Sequence, residues 1–311
     1  MRWATKARTS HKSKSRSVLP GILRTRIVLL PLLIVLAHVG AVHGAQDAPD
    51  LMQTLVAKDA TPNNELDLIE MRWVPGRGRR ELALGFGVEK IVANNLALEV
   101  TSEWEDISSH SGASGNGFGK IDFELKYVLW TYPENEFQIA LTPAISVRTS
   151  SHIGDDNLST SASIGISWGG RLSVLKDVGW EQYFRAVELQ GDLGYSRALG
   201  ASSADALYFD PVIDYSLPYL SYTSAPEVPW PLRNLCIFAE FNFYQPLSSP
   251  NDGAHMFLTP GVSYLNNYLQ LSAGLQIALN RITSSNEKIA LIGSASIFLD
   301  ALDPVFARTL F

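Results

Sequence analysis

The side chains that could do chemistry in this chain are mostly carboxylates, and they sit at every second position beside apolar residues. Glu99, Glu103, Asp122, Glu124, Glu136, Glu188, Asp192, Asp210, Asp214 and Glu240 share one parity, against only Lys126 and Arg148. Side chains of a strand alternate between two faces, so these groups would line the face opposite the apolar one. Such a face concentrates cations and repels anions. The competing expectation is a closed interior in which the carboxylates pair with Lys126, Arg148 and water.

Nucleophilic or general-base chemistry would need a histidine held beside a serine or carboxylate. The mature candidates are His110, His152 and His255, of which His152 stands near Ser150, Ser151, Asp155 and Asp156. Hydrated loops carry the same residues, and no motif fixes a nucleophile, so no catalytic residue is assigned. Asp155-Asp156-Asn157 and Asn251-Asp252 offer oxygen ligands, but the calcium-loop spacing is missing, and no metal site or cofactor is expected. Gly76 and Gly78 stand between two expected strands, where a tight hairpin explains them better than a phosphate loop.

The elements that would position these groups are strands. Leu82, Leu84, Phe86 and Val88 alternate, as do Leu96, Leu98 and Val100 across the turn signal Asn94-Asn95. Ile121 to Leu129 and Phe137 to Val147 continue the pattern. The expected strands lie near 66–74, 81–89, 95–104, 119–130, 136–148, 159–168, 182–196, 206–216, 232–244, 255–265, 268–279 and 287–299. About ten residues is the length a tilted strand needs to cross a bilayer.

Aromatics gather at one set of strand ends: Trp130, Trp168, Trp180, Tyr215, Trp230, Tyr264 and Tyr268, with Tyr132, Tyr183 and Tyr219 beside them. A sparser set, Trp104, Tyr195 and Tyr244, falls at the other ends. Indole and phenol rings favour the boundary between apolar and wet regions, so these would be interface aromatics. The fold class expected is therefore an all-β antiparallel transmembrane barrel of about twelve strands, although a secreted sandwich shares the alternation.

Charge adds the address. Eight of the 25 Lys and Arg precede residue 27, and no Asp or Glu precedes Asp47. The chain after Ala45 then holds 17 basic against 31 acidic residues, a net charge of −14 that repels nucleic acid. Behind the basic stretch, Ile27 to Val42 is apolar or small apart from His38, the layout of a secretory signal. An uncleaved helical anchor is the alternative, though the run is shorter than a span needs. Cys236 is the only cysteine and has no internal partner.

The expected organisation is a signal peptide over 1–45 with a long basic start, an N-terminal periplasmic segment over 46–65, an outer-membrane barrel over 66–299 and a C-terminal periplasmic tail over 300–311. Two connections, 168–180 and the Pro-rich 217–233, are long for periplasmic turns and would cap or plug the lower opening.

Gly117-Phe118-Gly119-Lys120-Ile121-Asp122-Phe123-Glu124-Leu125-Lys126-Tyr127 resembles the Gly-rich "GD-x-x-L-K-Y" strand of bacterial outer-membrane barrels grouped with the MetA-pathway-of-phenol-degradation proteins, often described as transporters. Pro260 to Tyr264, Gln270 to Asn280 and Ile297 to Asp300 are similar to their closing strands. In those barrels Gly directly precedes the Asp, whereas Ile121 does so here. The resemblance implies a Gram-negative outer-membrane barrel and says little about the solute. The terminal Phe311 resembles the closing aromatic read by the barrel-assembly machinery, but Pro304 and Arg308 interrupt the approach to it.

Three functions are expected from these features. The first is a passive channel or transporter for small cationic or neutral solutes, apolar ones among them. The second is a non-conducting structural or assembly barrel with a plugged lumen, and the third an outer-membrane hydrolase. The partners expected are outer-membrane lipid, the assembly machinery and a small solute.

Overall fold

The computed structural model describes residues 51–76, 79–109, 114–133, 136–149, 160–172, 181–199, 205–223, 225, 227–247, 253–303, 305–306 and 308–309. The basic and apolar run at 1–45 lies outside them. Thirteen strands form one sheet: β1 (Glu65–Val74), β2 (Arg79–Ala93), β3 (Leu96–Ser109), β4 (Gly115–Tyr132), β5 (Phe137–Leu141), β6 (Ala144–Arg148), β7 (Ser161–Arg171), β8 (Val187–Ala198), β9 (Ala206–Ser216), β10 (Leu235–Pro246), β11 (His255–Leu265), β12 (Leu269–Ala278) and β13 (Ile289–Phe298). Sequence neighbours pair antiparallel except β5 and β6, which each pair with β4 and β7, and β1 pairs with β13. The sheet therefore closes on itself and has no free edge.

β5 and β6 are two halves of one wall strand, so twelve strands circle the barrel. The break falls at Thr142-Pro143, because proline has no N–H to give the ladder. The wall stays shut there. Leu125 N donates to Pro143 O (3.0 Å), and Thr142 and Gly165 exchange backbone bonds at 2.9 and 3.3 Å. Side-chain parity continues across the break.

The polarity is the reverse of a soluble sandwich. Phe86, Val88, Leu98, Phe123, Ile166, Leu193, Ile213 and Val262 stand exposed on the outside of the wall. Glu81, Glu89, Glu124, Glu188, Asp192, Asp214 and Glu240 are buried on the inside. A polar interior behind an apolar exterior is stable only where the exterior meets something other than water.

Two local departures set which side chains face inward. A register shift between Asp67 and Glu70 makes Leu68 and Ile69 both point outward, bringing Glu70 and Arg72 to the inner face with Asp67. Gly191 has φ +152°, and a Cβ there would lie 2.5 Å from Asp210 O. Trp168 and Phe209 stack across that position with centroids 6.0 Å apart.

Strand positions match the spacing read from the sequence to within about five residues, and β3 runs on to Ser109 past its expected end at 104. The strand expected from 182 begins at Val187, because Glu181–Phe184 turns as a short helix, α1. A second helix, α2 (Leu217–Thr223), follows β9, a third, α3 (Arg281–Asn286), follows β12, and α4 (Leu299–Leu302) follows β13. Asn266 fastens the short connection between β11 and β12, its Oδ1 accepting from Tyr268 N (2.9 Å) and Leu269 N (3.0 Å).

The chain preceding β1, expected from the sequence as an N-terminal periplasmic segment over 46–65, runs inside the barrel over 51–64 and only then enters β1. The physical reason lies in the mixed character of these residues. Leu51, Met52, Leu55 and Ala57 need apolar cover, while the non-sheet backbone between them needs hydrogen-bond partners, and the inner wall supplies both.

Candidate functional site: the plugged lumen

Gln190 Nε2 donates to Met52 O (2.8 Å), and Gln270 brackets Gln53, accepting from its N (3.2 Å) and donating to its O (2.6 Å). At the tip of the loop, Leu55 N (2.5 Å) and Val56 N (2.9 Å) donate to the two oxygens of Glu240. Lys58 N donates to Asp192 Oδ1 (2.9 Å). On the return leg Gln138 donates to Ala60 O, Lys126 Nζ to Thr61 O (3.0 Å), and Asn63 N to Glu89 Oε1 (2.7 Å). The loop is tied to at least β2, β4, β5, β8, β10 and β12, which is why it lies across the lumen rather than along one wall.

Side chains add charge pairing. Lys58 Nζ meets Glu124, and Lys126 Nζ lies between Asp59 and Glu89, the latter at 2.9 Å. These cations answer a problem set by the register. Glu89, Glu99 and Glu124 stand directly opposite one another on β2, β3 and β4. Like charges in cross-strand register repel, so counter-charges must lie close. Lys126 and the loop's own Lys58 provide them.

Apolar contacts complete the seat. Met52 and Ala57 pack with Val212, Cys236 and Phe238, and Leu55 lies against that cluster. Glycines in the wall make the room. A Cβ at Gly169 would sit 2.1 Å from Leu51 Cδ1, and one at Gly274 2.9 Å from Leu55 Cδ1.

Between the loop and the wall of β1–β4, β6 and β7 remains a cavity of about 300 Å³. Gln53 to Asp59 form one side of it, and Asp67, Glu70, Glu89, Glu99, Asp122, Glu124, Lys120 and Lys126 much of the other. Lys120 Nζ pairs with Asp122 at 3.4 Å. Seven carboxylates, Asp59 included, against Lys58, Lys120 and Lys126 leave the cavity net acidic.

The end of the barrel at which β1 starts and β13 finishes is closed by a second polar cluster. Arg171 Nε lies 3.4 Å from Glu136 Oε2, its NH2 group 3.3 Å from Glu188 Oε2, and its guanidinium 4.1 Å from the ring centre of Tyr219. Tyr219, on α2, donates its hydroxyl to Glu136 Oε1 (2.9 Å). Burial first, and that hydrogen bond second, hold the Tyr219 hydroxyl above its ordinary pKa. Glu136 reaches the cluster from a turn with φ +49°. Part of the long connection after β9 thus caps this opening.

Among the sequence-assigned carboxylates, the structure places Glu99, Asp122 and Glu124 on the cavity with Lys126. Asp192 and Glu240 hold the loop tip. Glu188 and Asp214 face each other across β8 and β9, as do Asp192 and Asp210. Glu103 stands opposite Gly85, farther along the wall, and Arg148 is exposed at the end of β6, opposite Lys120. Glu136 lies at the mouth, off the wall.

Sequence reasoning missed Glu65, Asp67 and Glu89, although parity with Leu66 and Val88 would have found them. It had no signal for Glu70, which only the register shift turns inward. Lys58, Asp59 and the three glutamines were missed because the segment was read as lying outside the barrel.

Of the interface aromatics, Trp130, Trp230 and Tyr268 are exposed near the end at which β1 starts and β13 finishes, Tyr215, Tyr264 and Trp168 are partly covered, and Trp180 lies outside the described residues. His110, His152 and its serine and aspartate neighbours, and Asn251-Asp252, also lie outside them. His255 begins β11, its ring 6.2 Å from that of Tyr244. The C-terminal residues turn back toward β2, where Lys90 Nζ donates to Phe306 O and to Arg308 O (2.7 Å).

No family model matches the sequence and no curated protein matches it, so the likeness of residues 117–127 to the phenol-degradation barrels stays a resemblance. Among solved structures the chain is similar to the NanC porin, at 9% identity and a TM-score of 0.47 over 75% of this chain and 98% of that one. It is also similar to LpxR from Salmonella typhimurium (9%, 0.45, 76% and 100%) and to outer membrane phospholipase A from Escherichia coli (9%, 0.35, 83% and 96%). At such identity and overlap these likenesses carry no functional argument.

Proposed function

We propose that this protein is a passive channel of the Gram-negative outer membrane for small cationic or neutral solutes, and that it rests closed, with residues 51–64 as the closure. The observation that carries the reading is the inverted polarity of the barrel around an acidic cavity, part of whose boundary is a loop outside the sheet. The apolar exterior suits lipid, with the barrel-assembly machinery as the route of insertion. The inner carboxylates would favour cations once the loop moves. The resemblance to transporter-like barrels agrees with this reading.

Two measurements test it. Heat-modifiable gel mobility of the membrane fraction checks the folded barrel. Planar-bilayer recordings under a potassium chloride gradient, on wild type and on a variant with the loop loosened, check the rest. We expect little current from wild type and a cation-selective reversal potential from the variant; anion selectivity refutes the acidic-lumen reading.

A second reading, a non-conducting barrel, is favoured by the density of bonds holding the loop. An absence of current in the loosened variant, with residues 51–64 shown to be accessible to protease, would establish it. A hydrolase has no supporting geometry among the described residues.

A further inference from the structure

We infer that the lumen wall is a binding site for short peptides that fold back on themselves, with main-chain amides as the recognised chemistry and a lysine as the preferred side chain. The inference names a solute class for the channel proposed above and to that extent rests on it. Six wall side chains carry most of the recognition: Gln190, Gln270, Glu240, Asp192, Gln138 and Glu89. What they bind is informative, because each of the six hydrogen-bonds a backbone N–H or C=O of residues 51–64.

A wall built only to neutralise its own charge would pair carboxylates with lysines and arginines. Here Glu240 and Asp192, both fully buried, spend their acceptors on peptide N–H groups at the loop tip. Gln270 offers an acceptor to the N–H and a donor to the C=O of one residue, the complement a neighbouring strand would give. Such contacts, made by wall side chains to peptide groups, read a chain without reading its sequence.

Side-chain demands are few. Ala57 and Ala60 are buried, so small residues fit at those two points. The ammonium of Lys58 on Glu124 marks where a basic side chain belongs. Buried acceptors Gln190 Oε1 and Gln138 Oε1 are left without a partner by the resident loop. A different peptide backbone can engage them. The resident loop is then a tethered occupant, and a free peptide of similar character competes for its seat.

The experiment uses the full-length protein with Lys58→Ala and Asp59→Ala, which removes the loop's two ion pairs and leaves every wall group intact. The probe is a fluorescent synthetic peptide with the order of residues 51–64. It is compared with the same peptide N-methylated at the amides matching Leu55, Val56 and Lys58, and with one carrying Glu in place of the lysine. Binding is followed by anisotropy in detergent, with heat-modifiable mobility as the check on folding.

We expect the unmodified peptide to bind the double variant, and N-methylation to weaken it at least tenfold. Adding Glu240→Gln to the protein should weaken the unmodified peptide at least tenfold and leave the gel shift in place. Equal binding of the N-methylated peptide, or no binding to the folded double variant, overturns the inference. Binding without any bilayer current refutes the channel reading alone, and current that the peptide fails to block refutes peptide recognition alone.

Discussion

Replacing Lys126 by methionine isolates what holds the loop in the lumen. Lys126 is 3% exposed, and its ammonium lies against Asp59 of the loop, Glu89 of β2 (2.9 Å) and Thr61 O (3.0 Å). Methionine keeps most of the volume and removes the charge. Asp59 and Glu89, themselves nearly inaccessible, are then left facing each other without a cation. Breaking a buried pair in this way costs about 3–5 kcal/mol. Little of that falls on the wall, whose ladder is backbone-bonded on both sides of β4. Most of it falls on the loop, which alone can move Asp59 away. At about 1.4 kcal/mol per tenfold change, the closed-to-open ratio drops roughly 10²- to 10⁴-fold.

Bilayer current per molecule reads the change directly, and protease cleavage within 51–64 reads it without assuming conduction. Lys126→Arg should retain most of the closure. Adding Asp59→Asn to Lys126→Met should recover part of the loss, with a coupling above about 1 kcal/mol, since the two side chains touch. If the Lys126→Met protein keeps wild-type current and wild-type protection of 51–64, the loop is not held by this charge cluster.

Further outcomes follow from other contacts. Leu193, 51% exposed at mid-wall, should tolerate arginine in water but cost roughly 2–4 kcal/mol if it faces hydrocarbon, read from unfolding in lipid vesicles. Gly191→Ala forces a Cβ against Asp210 O at a φ that favours glycine, so the temperature of the gel-mobility shift should fall by an amount reflecting about 1–3 kcal/mol or more. Tyr219→Phe loses one hydrogen bond to Glu136, about 1 kcal/mol, and keeps the ring beneath Arg171, whereas Tyr219→Ala loses both and should destabilise more by the same measurement. Gly169→Leu collides with Leu51 in the lumen, and should raise protease access to the loop while the barrel itself stays folded.

By itself, the sequence determined the wall. Strand length, the alternation at Leu82 to Val88 or Phe137 to Val147, and the parity of Glu124, Asp192 and Glu240 are local consequences of a two-residue repeat. A barrel of paired neighbours needs little else. The break at Thr142-Pro143, inside what the sequence presents as one strand over 136–148, is seen only in the structure.

The tertiary structure decided what the inner face is for. Nothing in Leu51 to Asn64 has a period, and its fit depends on glutamines, carboxylates and glycines brought from strands up to 243 residues away, as between Gln53 and Ser296. The inward turn of Glu70 likewise exists only through the register shift against β2 and β13. Parity reports which way a side chain points. It cannot report which backbone will lie in front of it, because that depends on closure of the ring, and closure alone brings opposite walls within hydrogen-bonding reach of one short loop.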